Sequence, residues 1–460
     1  MFKARWAQAT LVALSAIVFI GCGGGGGGGG GSSSASAGST GTVAVAVAPT
    51  DAATIQGGTR TFNATVTGNA NTAVTWTVAG AGNGTITNSG VYTAPAKSGT
   101  FQVTARSVAD NTKTSTVNVV VGTTGFIHTS DLPGGTFSSS IQALNSNGTV
   151  AAGAGTPAPA SGAPTNNAAM WRESTGLAVL AGVGPGNVFA MDSTGTTMVG
   201  VHQLAGGSLR AYTWTLAGGV TDLPLLAGAV GATTAFDVSG DGLTVVGQGF
   251  DSTLAQRAIK WSGGTATNLG VIPGGSFSLA RAISGDGNVI VGQSGITTGA
   301  RAVRWVGANP ASSLGVLPGG SQSLANDVNT DGTVIVGESA TTTGGSHTAA
   351  FRWTQVGGML NIGSLVAGKE TRALGVSGDG TVVVGSSQTG ATNADTEAFI
   401  WTQAGGMQNL RTYLANRGMA TILTGWVLTS ATSISTDGKV IGGLGMNPAG
   451  QPEGWVALLP

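Results

Sequence analysis

The residues of this chain that could perform chemistry are three histidines and a series of regularly spaced aspartates. His128, His202 and His347 stand in unrelated contexts and lack the spacing of a metal-binding motif. No Gly-x-Ser-x-Gly motif in a strand–turn–helix setting marks a nucleophilic serine. A Ser-His-Asp set that assembles only in space stays open, but the sequence predicts no catalytic residue, no metal site and no cofactor.

Five aspartates precede a glycine at recurring positions and could offer carboxylates to calcium: Asp241, Asp286, Asp331, Asp379 and Asp437. Calcium takes roughly six to eight oxygen ligands. Each repeat supplies one carboxylate, and we expect neighbouring repeats to place these turns far apart. Asp-Gly also suits the left-handed backbone of a hairpin turn. We therefore interpret the aspartates as turn residues rather than calcium ligands.

A second recurring position, at the start of the third strand of each repeat, is charged in five copies. These residues are Arg210, Arg257, Arg301, Glu397 and Glu453. Asn167 and Ala349 take the position in the other two copies. The loops before this strand vary most in length, and variable loops on a rigid scaffold often bind ligands. The five charged residues are candidate ligand contacts, and solvated charge at the start of a strand is the alternative.

A sequence repeat supplies the elements that position these residues. The phrase Ser-Gly-Asp-Gly, followed by an apolar run and a glycine, begins at Ser239, Ser284 and Ser377. Weaker copies of its first part end at Gly148, Gly195, Gly332 and Gly438. Successive spacings are 47, 47, 45, 45, 48 and 58 residues. A period of this size indicates one supersecondary unit repeated seven times.

Each repeat reads as four short strands with no helical pattern between them. In one copy the strands are Leu279–Ile283, Asn288–Val291, Arg301–Trp305 and Ser313–Leu317, which is the pattern of a β-propeller blade. The chain ends on a third strand, and the segment from Gly125 matches a fourth. That segment would complete the last blade and close a ring without free sheet edges. We predict a seven-bladed β-propeller over 125–460 with a split last blade, and an open solenoid is the alternative.

Tryptophan marks the third strand of the repeats. It stands at Trp171, Trp214, Trp261, Trp305, Trp353 and Trp401, and Trp455 is displaced by two positions in the last copy. Large aromatics at one repeated position usually build a core. We expect packing between blades instead of sugar stacking.

Residues 41–122 form a different unit. Alternating or apolar runs of strand length recur there, such as Thr61–Val66 and Val74–Val78, separated by glycine and asparagine turns. This predicts a β-sandwich. The stretches Val74-Thr-Trp-Thr-Val and Gly90-Val-Tyr-Thr-Ala-Pro resemble the bacterial immunoglobulin-like domains of surface proteins. The resemblance implies a spacer or adhesion module, with Trp76 and Tyr92 in its core.

Cys22, the one cysteine of the chain, closes a segment typical of export. A basic start precedes an apolar stretch from Ala9 to Ile20, too short to span a bilayer. The segment resembles a bacterial lipoprotein signal, although Phe19 stands where that family usually has leucine. The resemblance implies a signal peptide over 1–21, lipidation of Cys22 and a membrane anchor. An ordinary secretory signal is the alternative.

Residues 22–40 follow as a glycine- and serine-rich segment that we interpret as a flexible tether. A phosphate-binding loop would need a preceding strand and a following helix. By resemblance to enterobacterial lipoproteins, Gly23 after the cysteine favours the outer membrane. We therefore expect an exported, lipid-anchored protein at the cell surface or outer membrane.

The composition limits the partners. Of 460 residues 8% are charged, with 19 acidic and 19 basic residues and no basic cluster. Nothing therefore predicts nucleic-acid binding. The single cysteine excludes an intramolecular disulfide and a cysteine metal site.

The repeats resemble the HAF-type extracellular repeats of bacteria. The matching residues include Leu317-Pro-Gly-Gly, Ala325-Asn-Asp-Val, Asp331-Gly-Thr-Val-Ile-Val-Gly and Ala350-Phe-Arg-Trp-Thr. The resemblance covers most of 125–460 and implies an exported, surface-associated protein. We expect a non-enzymatic adhesion or binding lipoprotein whose propeller is a platform for a polysaccharide or a surface protein. A propeller enzyme acting on glycans, with paired carboxylates at the central channel, and a structural envelope protein are the alternatives.

Overall fold

A computed structural model describes residues 42–122, 124–132, 137–157, 166–173, 175–296, 299–342, 348–392 and 395–460. Within these ranges the chain is almost entirely β-structure, which confirms the all-β prediction. No helix among the described residues is long and apolar enough to cross a membrane. The predicted signal peptide, Cys22, the tether and His347 lie outside the described residues.

Nine strands make up the N-terminal unit. They are β1 (Ala44–Ala48), β2 (Asp51–Ile55), β3 (Thr59–Thr61), β4 (Asn63–Thr67), β5 (Val74–Val78), β6 (Thr85–Ile86), β7 (Val91–Thr93), β8 (Gly99–Ser107) and β9 (Thr114–Gly122). Their sheet orders are β1-β4, β2-β9-β8-β5 and β3-β7-β6. Tyr92 is fully buried among Phe62, Val103 and Val119, while Trp76 packs on this core from a partly buried position. The two aromatics therefore contribute to the core, as predicted.

The remaining strands form seven four-stranded sheets, numbered here in chain order. Sheet 1 contains β11 (Ser139–Leu144), β12 (Val150–Gly155), β13 (Asn167–Arg172) and β14 (Gly176–Val179). Sheet 2 contains β15 (Gly186–Met191), β16 (Thr197–Gln203), β17 (Leu209–Thr215) and β18 (Gly219–Asp222). Sheet 3 contains β19 (Thr234–Val238), β20 (Thr244–Phe250), β21 (Gln256–Ser262) and β22 (Thr265–Asn268).

The later sheets repeat this order. Sheet 4 contains β23 (Phe277–Ile283), β24 (Val289–Ile296), β25 (Gly299–Val306) and β26 (Ser312–Gly315). Sheet 5 contains β27 (Ser323–Val328), β28 (Val334–Ala340), β29 (Thr348–Thr354) and β30 (Gly358–Asn361). Sheet 6 contains β31 (Thr371–Val376), β32 (Val382–Gln388), β33 (Thr396–Thr402) and β34 (Gly406–Asn409).

Sheet 7 is assembled from both ends of the region. It contains β35 (Val427–Ile434), β36 (Val440–Met446) and β37 (Pro452–Leu458), and β10 (Gly125–His128) pairs antiparallel with β37 as its fourth strand. The repeat boundaries predicted this pairing. The first strand of every sheet contacts the first strand of the next, and β35 contacts β11, so the seven sheets form a closed cycle.

A buried apolar cluster lies between each pair of successive sheets. The third-strand tryptophans belong to these clusters and are at most 7% exposed. Trp305, for example, packs with Val246 and Ala258 of the preceding sheet. Their predicted packing role is confirmed. Burial at this repeated position supplies much of the hydrophobic stabilisation between sheets.

A short helical insertion lies between the last strand of sheet 6 and the first strand of sheet 7. The helix α1 (Leu410–Leu414) begins at Asn409, whose Oδ1 accepts the backbone N–H of Thr412 at 3.0 Å. A π-helical turn (Ala415–Met419) follows. The apolar side chains of the helix and of this turn pack on the outer strand β10 and on sheet 7.

The N-terminal unit contacts the ring through a partly buried ion pair. Arg60 Nη1 lies 3.8 Å from Glu173 Oε1, which also accepts the backbone N–H of Thr61 at 3.1 Å. Burial raises the pKa of Glu173, and the charge of Arg60 opposes that rise. A second contact places the backbone of Gly122 against Met419. The ion pair and this apolar contact join the two units.

Candidate binding surface of the ring

The Ser-Gly-Asp-Gly phrase forms a self-contained turn between the first and second strands of a sheet. Ser284 Oγ donates to Asp286 Oδ1 at 2.5 Å and accepts the backbone N–H of Val289 at 2.9 Å. Asp286 Oδ1 also accepts the backbone N–H of Asn288 at 3.0 Å. Gly287 has φ of 75°, in the left-handed region that hairpin turns require. The predicted turn role of these residues is confirmed.

The seven turns lie against one another. The backbone N–H of one turn donates to a carbonyl oxygen of the next, around the whole ring. The bonds are Ser146 N to Ser193 O (3.0 Å), Ser193 N to Gly240 O (3.1 Å), Gly240 N to Gly285 O (3.0 Å), Asp286 N to Thr330 O (3.1 Å), Thr330 N to Gly378 O (3.3 Å), Gly378 N to Thr436 O (2.9 Å) and Thr436 N to Ser146 O (3.0 Å). The expectation that the turns lie far apart is wrong, because each turn follows an innermost strand and the innermost strands converge.

The aspartates of the turns are nevertheless used locally. Hydrogen bonds, led by those from the hydroxyls of Ser239, Thr333 and Ser377, lower the pKa values of Asp241, Asp331 and Asp379. Among the described residues, no group of three or more histidine, cysteine, aspartate or glutamate side chains could hold a metal ion. The turns are therefore a structural belt at one face of the ring.

The five candidate ligand contacts lie in five different sheets and do not converge. Three contact the crossover that leads to the next sheet. Arg257 Nη1 donates to the carbonyl oxygen of Ser276 at 2.9 Å, and Arg301 Nη1 donates to that of Ser321. Glu453 Oε1 accepts the backbone N–H of Ser130 at 2.9 Å. Each of these three residues therefore helps to fix a crossover loop.

Three of the five charged residues also pair with a nearby side chain. Arg257 Nε lies 2.9 Å from Asp251 Oδ2. Glu453 is buried beside His128, whose Nδ1 lies 2.8 Å from Glu453 Oε1. Glu397 accepts the side-chain amide of Asn409. For Arg210, the buried Nε has no hydrogen-bond partner among the described residues.

The sequence interpretation missed a layer of side chains at the centre of the ring. The first strand of every sheet has a β-bulge at the same place. We call the seven bulged residues the axial layer: Gln142, Phe189, Phe236, Arg281, Asn326, Leu374 and Thr432. Each is partly exposed, whereas the residue before it is fully buried. The innermost strands surround an axis, so the partly exposed side chains face it.

Contacts in the axial layer run from sheet to sheet. The ring centroids of Phe189 and Phe236 are 5.7 Å apart. Arg281 Cζ lies 4.7 Å from the centroid of Phe236, in a cation–π geometry. Asn326 Nδ2 donates to the carbonyl oxygen of Ala373 at 2.9 Å, and Thr432 Oγ1 donates to that of Ile141 at 2.6 Å. The signal in the sequence was the variety of residue types at one repeat position.

Two aspartates, Asp237 and Asp327, each follow an axial-layer residue directly in the sequence. Asp237 Oδ2 accepts the backbone N–H of Ile283 in sheet 4 at 2.7 Å, and Asp327 Oδ2 accepts that of Val376 in sheet 6 at 2.8 Å. Burial raises the pKa of Asp237 to about 8 and that of Asp327 to about 7. The charge of Asp327 adds to the rise at Asp237. Each carboxyl group therefore links its sheet to the next one around the axis.

Comparison with known proteins gives similarity of fold alone. No family model and no curated protein matches the chain. The chain is similar to the β-propeller domain of the Trilobed protease from Pyrococcus furiosus, with 9% identity over 71% of this chain and 95% of that chain (TM-score 0.47). TolB from Acinetobacter baumannii matches with 13% identity over 68% and 76% (TM-score 0.40). The Dos1 propeller matches with 12% identity over 72% and 94% (TM-score 0.39).

Proposed function

We propose that this chain is an exported, lipid-anchored binding protein of the cell surface and that it is not an enzyme. In this proposal residues 125–460 are a seven-bladed β-propeller whose last blade is completed by β10. Residues 41–122 are an immunoglobulin-like spacer, and residues 22–40 tether it to lipid on Cys22. The ligand is a polysaccharide or another surface protein.

One observation carries the binding role. The repeated residues build the framework, through the turns, the buried tryptophans and the apolar clusters between sheets. The residues that differ between repeats gather in the axial layer and in the loops on the crossover face. A rigid framework that presents variable side chains is the usual design of a binding protein. The five charged residues remain proposed ligand contacts on that face.

Screening the full chain on an array of polysaccharides and immobilised surface proteins tests the binding role. We expect saturable binding to a restricted set of ligands. Arg257→Gln with Arg301→Gln should weaken that binding, while Lys439→Gln, an exposed change in the turn belt on the opposite face, should not. Saturable binding to none of the ligands would contradict the proposal.

The anchor has its own test. Labelling cells with radioactive palmitate should label the wild-type chain and not Cys22→Ser. Equal labelling of both chains would remove the anchor from the proposal without affecting the binding role.

A glycan-active enzyme is the second candidate, because Asp237 and Asp327 lie close enough for their charges to interact. Paired carboxyl groups are what glycoside hydrolysis needs. Both groups, however, accept two backbone N–H bonds each, which favours the linking role. Release of reducing ends from a polysaccharide by the wild-type chain, lost in Asp237→Asn, would establish the enzyme instead.

A further inference from the structure

Arg281 is a cation without a bonded partner at the centre of the ring. Within the described residues its guanidinium makes no hydrogen bond and no ion pair, and its Nε is buried. Buried charges are normally paired, because desolvation of an isolated ion is unfavourable. The guanidinium of Arg281 therefore keeps hydrogen-bond donors that a bound anion could use.

Glu338, the acidic group that attracts Arg281 electrostatically, forms its ion pair with Arg372, although its buried Oε2 accepts no hydrogen bond. Glu338 Oε2 lies 2.9 Å from Arg372 Nε, and Glu370 lies 3.6 Å from the same guanidinium. Glu338 attracts Arg281 electrostatically without bonding to it. Asp237 and Asp327 are also occupied, since each of their oxygens accepts a backbone N–H. The hydrogen-bond donors of Arg281 therefore remain available to a ligand.

The surroundings of Arg281 suit a ring-shaped ligand that carries a carboxylate. Phe236 lies under the guanidinium and Phe189 lies next to Phe236, so two aromatic faces adjoin one cation. The guanidinium presents two parallel N–H donors, which match the two oxygens of a carboxylate. The aromatic face of Phe236 suits the apolar face of a sugar.

We propose that the axial layer binds the carboxylate of a terminal uronic acid, with Arg281 as the anion-binding residue and Phe236 as the surface beneath the sugar. The inference rests on the proposed polysaccharide-binding function and names its ligand class. Only the end of a glycan is expected to enter, because seven innermost strands surround the site.

Calorimetric titration of the full chain with D-glucuronic acid and with D-glucose tests the proposal. We expect glucuronic acid to bind at least about tenfold more tightly, because its carboxylate would accept charge-assisted hydrogen bonds from Arg281. Arg281→Gln should abolish that preference, and Arg281→Lys should retain part of it because the charge remains without the fork.

Arg304→Gln is the matched control. Arg304 Cζ lies 4.8 Å from the centroid of Trp353, a similar cation–π contact on an outer strand of the ring. This variant should keep the preference of the wild type. Thermal unfolding of each variant checks that the ring is intact, and Arg281→Lys keeps the test decisive if Arg281→Gln does not fold.

Four results would overturn the inference. Equal binding of the two sugars would contradict the anion site, and so would an unchanged preference in folded Arg281→Gln or Arg281→Lys. In either case, binding of other ligands on the array would leave the proposed function standing. Tighter Arg281-dependent binding of N-acetylphenylalanine than of glucuronic acid would assign the site to a peptide carboxylate. Absence of any ligand on the array would end both proposals.

Discussion

The backbone N–H of Thr436 in sheet 7 donates to the carbonyl oxygen of Ser146 in sheet 1 at 3.0 Å. This bond joins the last repeat to the first and completes the belt of turns. Together with the pairing of β10 and β37, it closes the ring at two places: the outermost strands of sheet 7 and the innermost turns.

Crowding in this belt is expected to require glycine at one of these turns, at Gly378. A methyl group on Gly378 would lie 2.4 Å from Thr436 Cγ2 and 2.7 Å from Thr330 Oγ1. We predict that Gly378→Ala destabilises the chain by about 1–3 kcal/mol, as overpacking generally does. Gly285→Ala is the control, since its methyl group would approach no atom closer than 3.0 Å. Urea unfolding should show a clearly larger loss for Gly378→Ala, and equal losses would contradict the crowding argument.

The sequence was sufficient for the elements that repeat. Period, turn chemistry and strand length predicted four strands per unit, the turn role of Ser284 and Asp286, and the burial of Trp305. The same reasoning placed neighbouring turns far apart, because the length of a sequence repeat does not tell how far its turn lies from the axis of the ring. Contacts between Gly240 and Gly285 depend on how closely the seven sheets converge.

The axial layer was missed for a related physical reason. A bulge adds one residue to a strand and rotates the side chains that follow it, so a strict alternation of inward and outward positions assigns them to the wrong side. Phe236 and Arg281 sit among small apolar residues and read as ordinary strand positions. Their contact across two sheets is a tertiary property that the local pattern does not encode.

Asp237 is expected to make stability depend on pH. Its pKa in the folded state, about 8, lies above the ordinary aspartate value of 3.8, mainly because of burial. The protonated form therefore favours folding, and this contribution is complete below about pH 3.8 and is lost as pH rises through about 8. We predict that the urea midpoint of the wild type falls between pH 5 and pH 8 more steeply than that of Asp237→Asn.

Asp241→Asn is the control for that measurement. Hydrogen bonding, chiefly from Ser239, lowers the pKa of Asp241 below the ordinary value of 3.8. Its contribution to stability is therefore constant above pH 3.8 and is lost only in acid. The slope between pH 5 and pH 8 should therefore match that of the wild type. An identical slope for Asp237→Asn would show that this carboxyl group is not protonated in the folded ring.

Glu173 is expected to couple the N-terminal unit to the ring. Glu173→Ala removes an acceptor from both the buried guanidinium of Arg60 and the backbone N–H of Thr61. Loss of one partner of a buried ion pair costs up to about 3–5 kcal/mol, and we expect the lower end here because Glu173 is 29% exposed. Protease cleavage between residues 122 and 125 should become faster. Glu370→Ala, which alters a partly exposed pair within the ring, should leave that cleavage rate unchanged.

Two tryptophans at the same repeat position are expected to respond differently to phenylalanine. Trp261 Nε1 donates to the carbonyl oxygen of Pro224 at 2.7 Å, whereas the buried Nε1 of Trp305 has no partner among the described residues. Both side chains are 2% exposed, so the loss of buried apolar area is similar. Trp261→Phe also leaves a carbonyl oxygen unpaired, while Trp305→Phe removes an unsatisfied N–H.

We therefore predict that Trp261→Phe destabilises the ring by about 1 kcal/mol more than Trp305→Phe in urea unfolding. Trp214→Phe supplies an independent comparison, because Trp214 Nε1 donates to the carbonyl oxygen of Ala181 at 3.1 Å. Its effect should resemble that of Trp261→Phe. Three equal losses would mean that packing between sheets alone determines the contribution of this position, and that the indole hydrogen bonds to the preceding crossover add nothing.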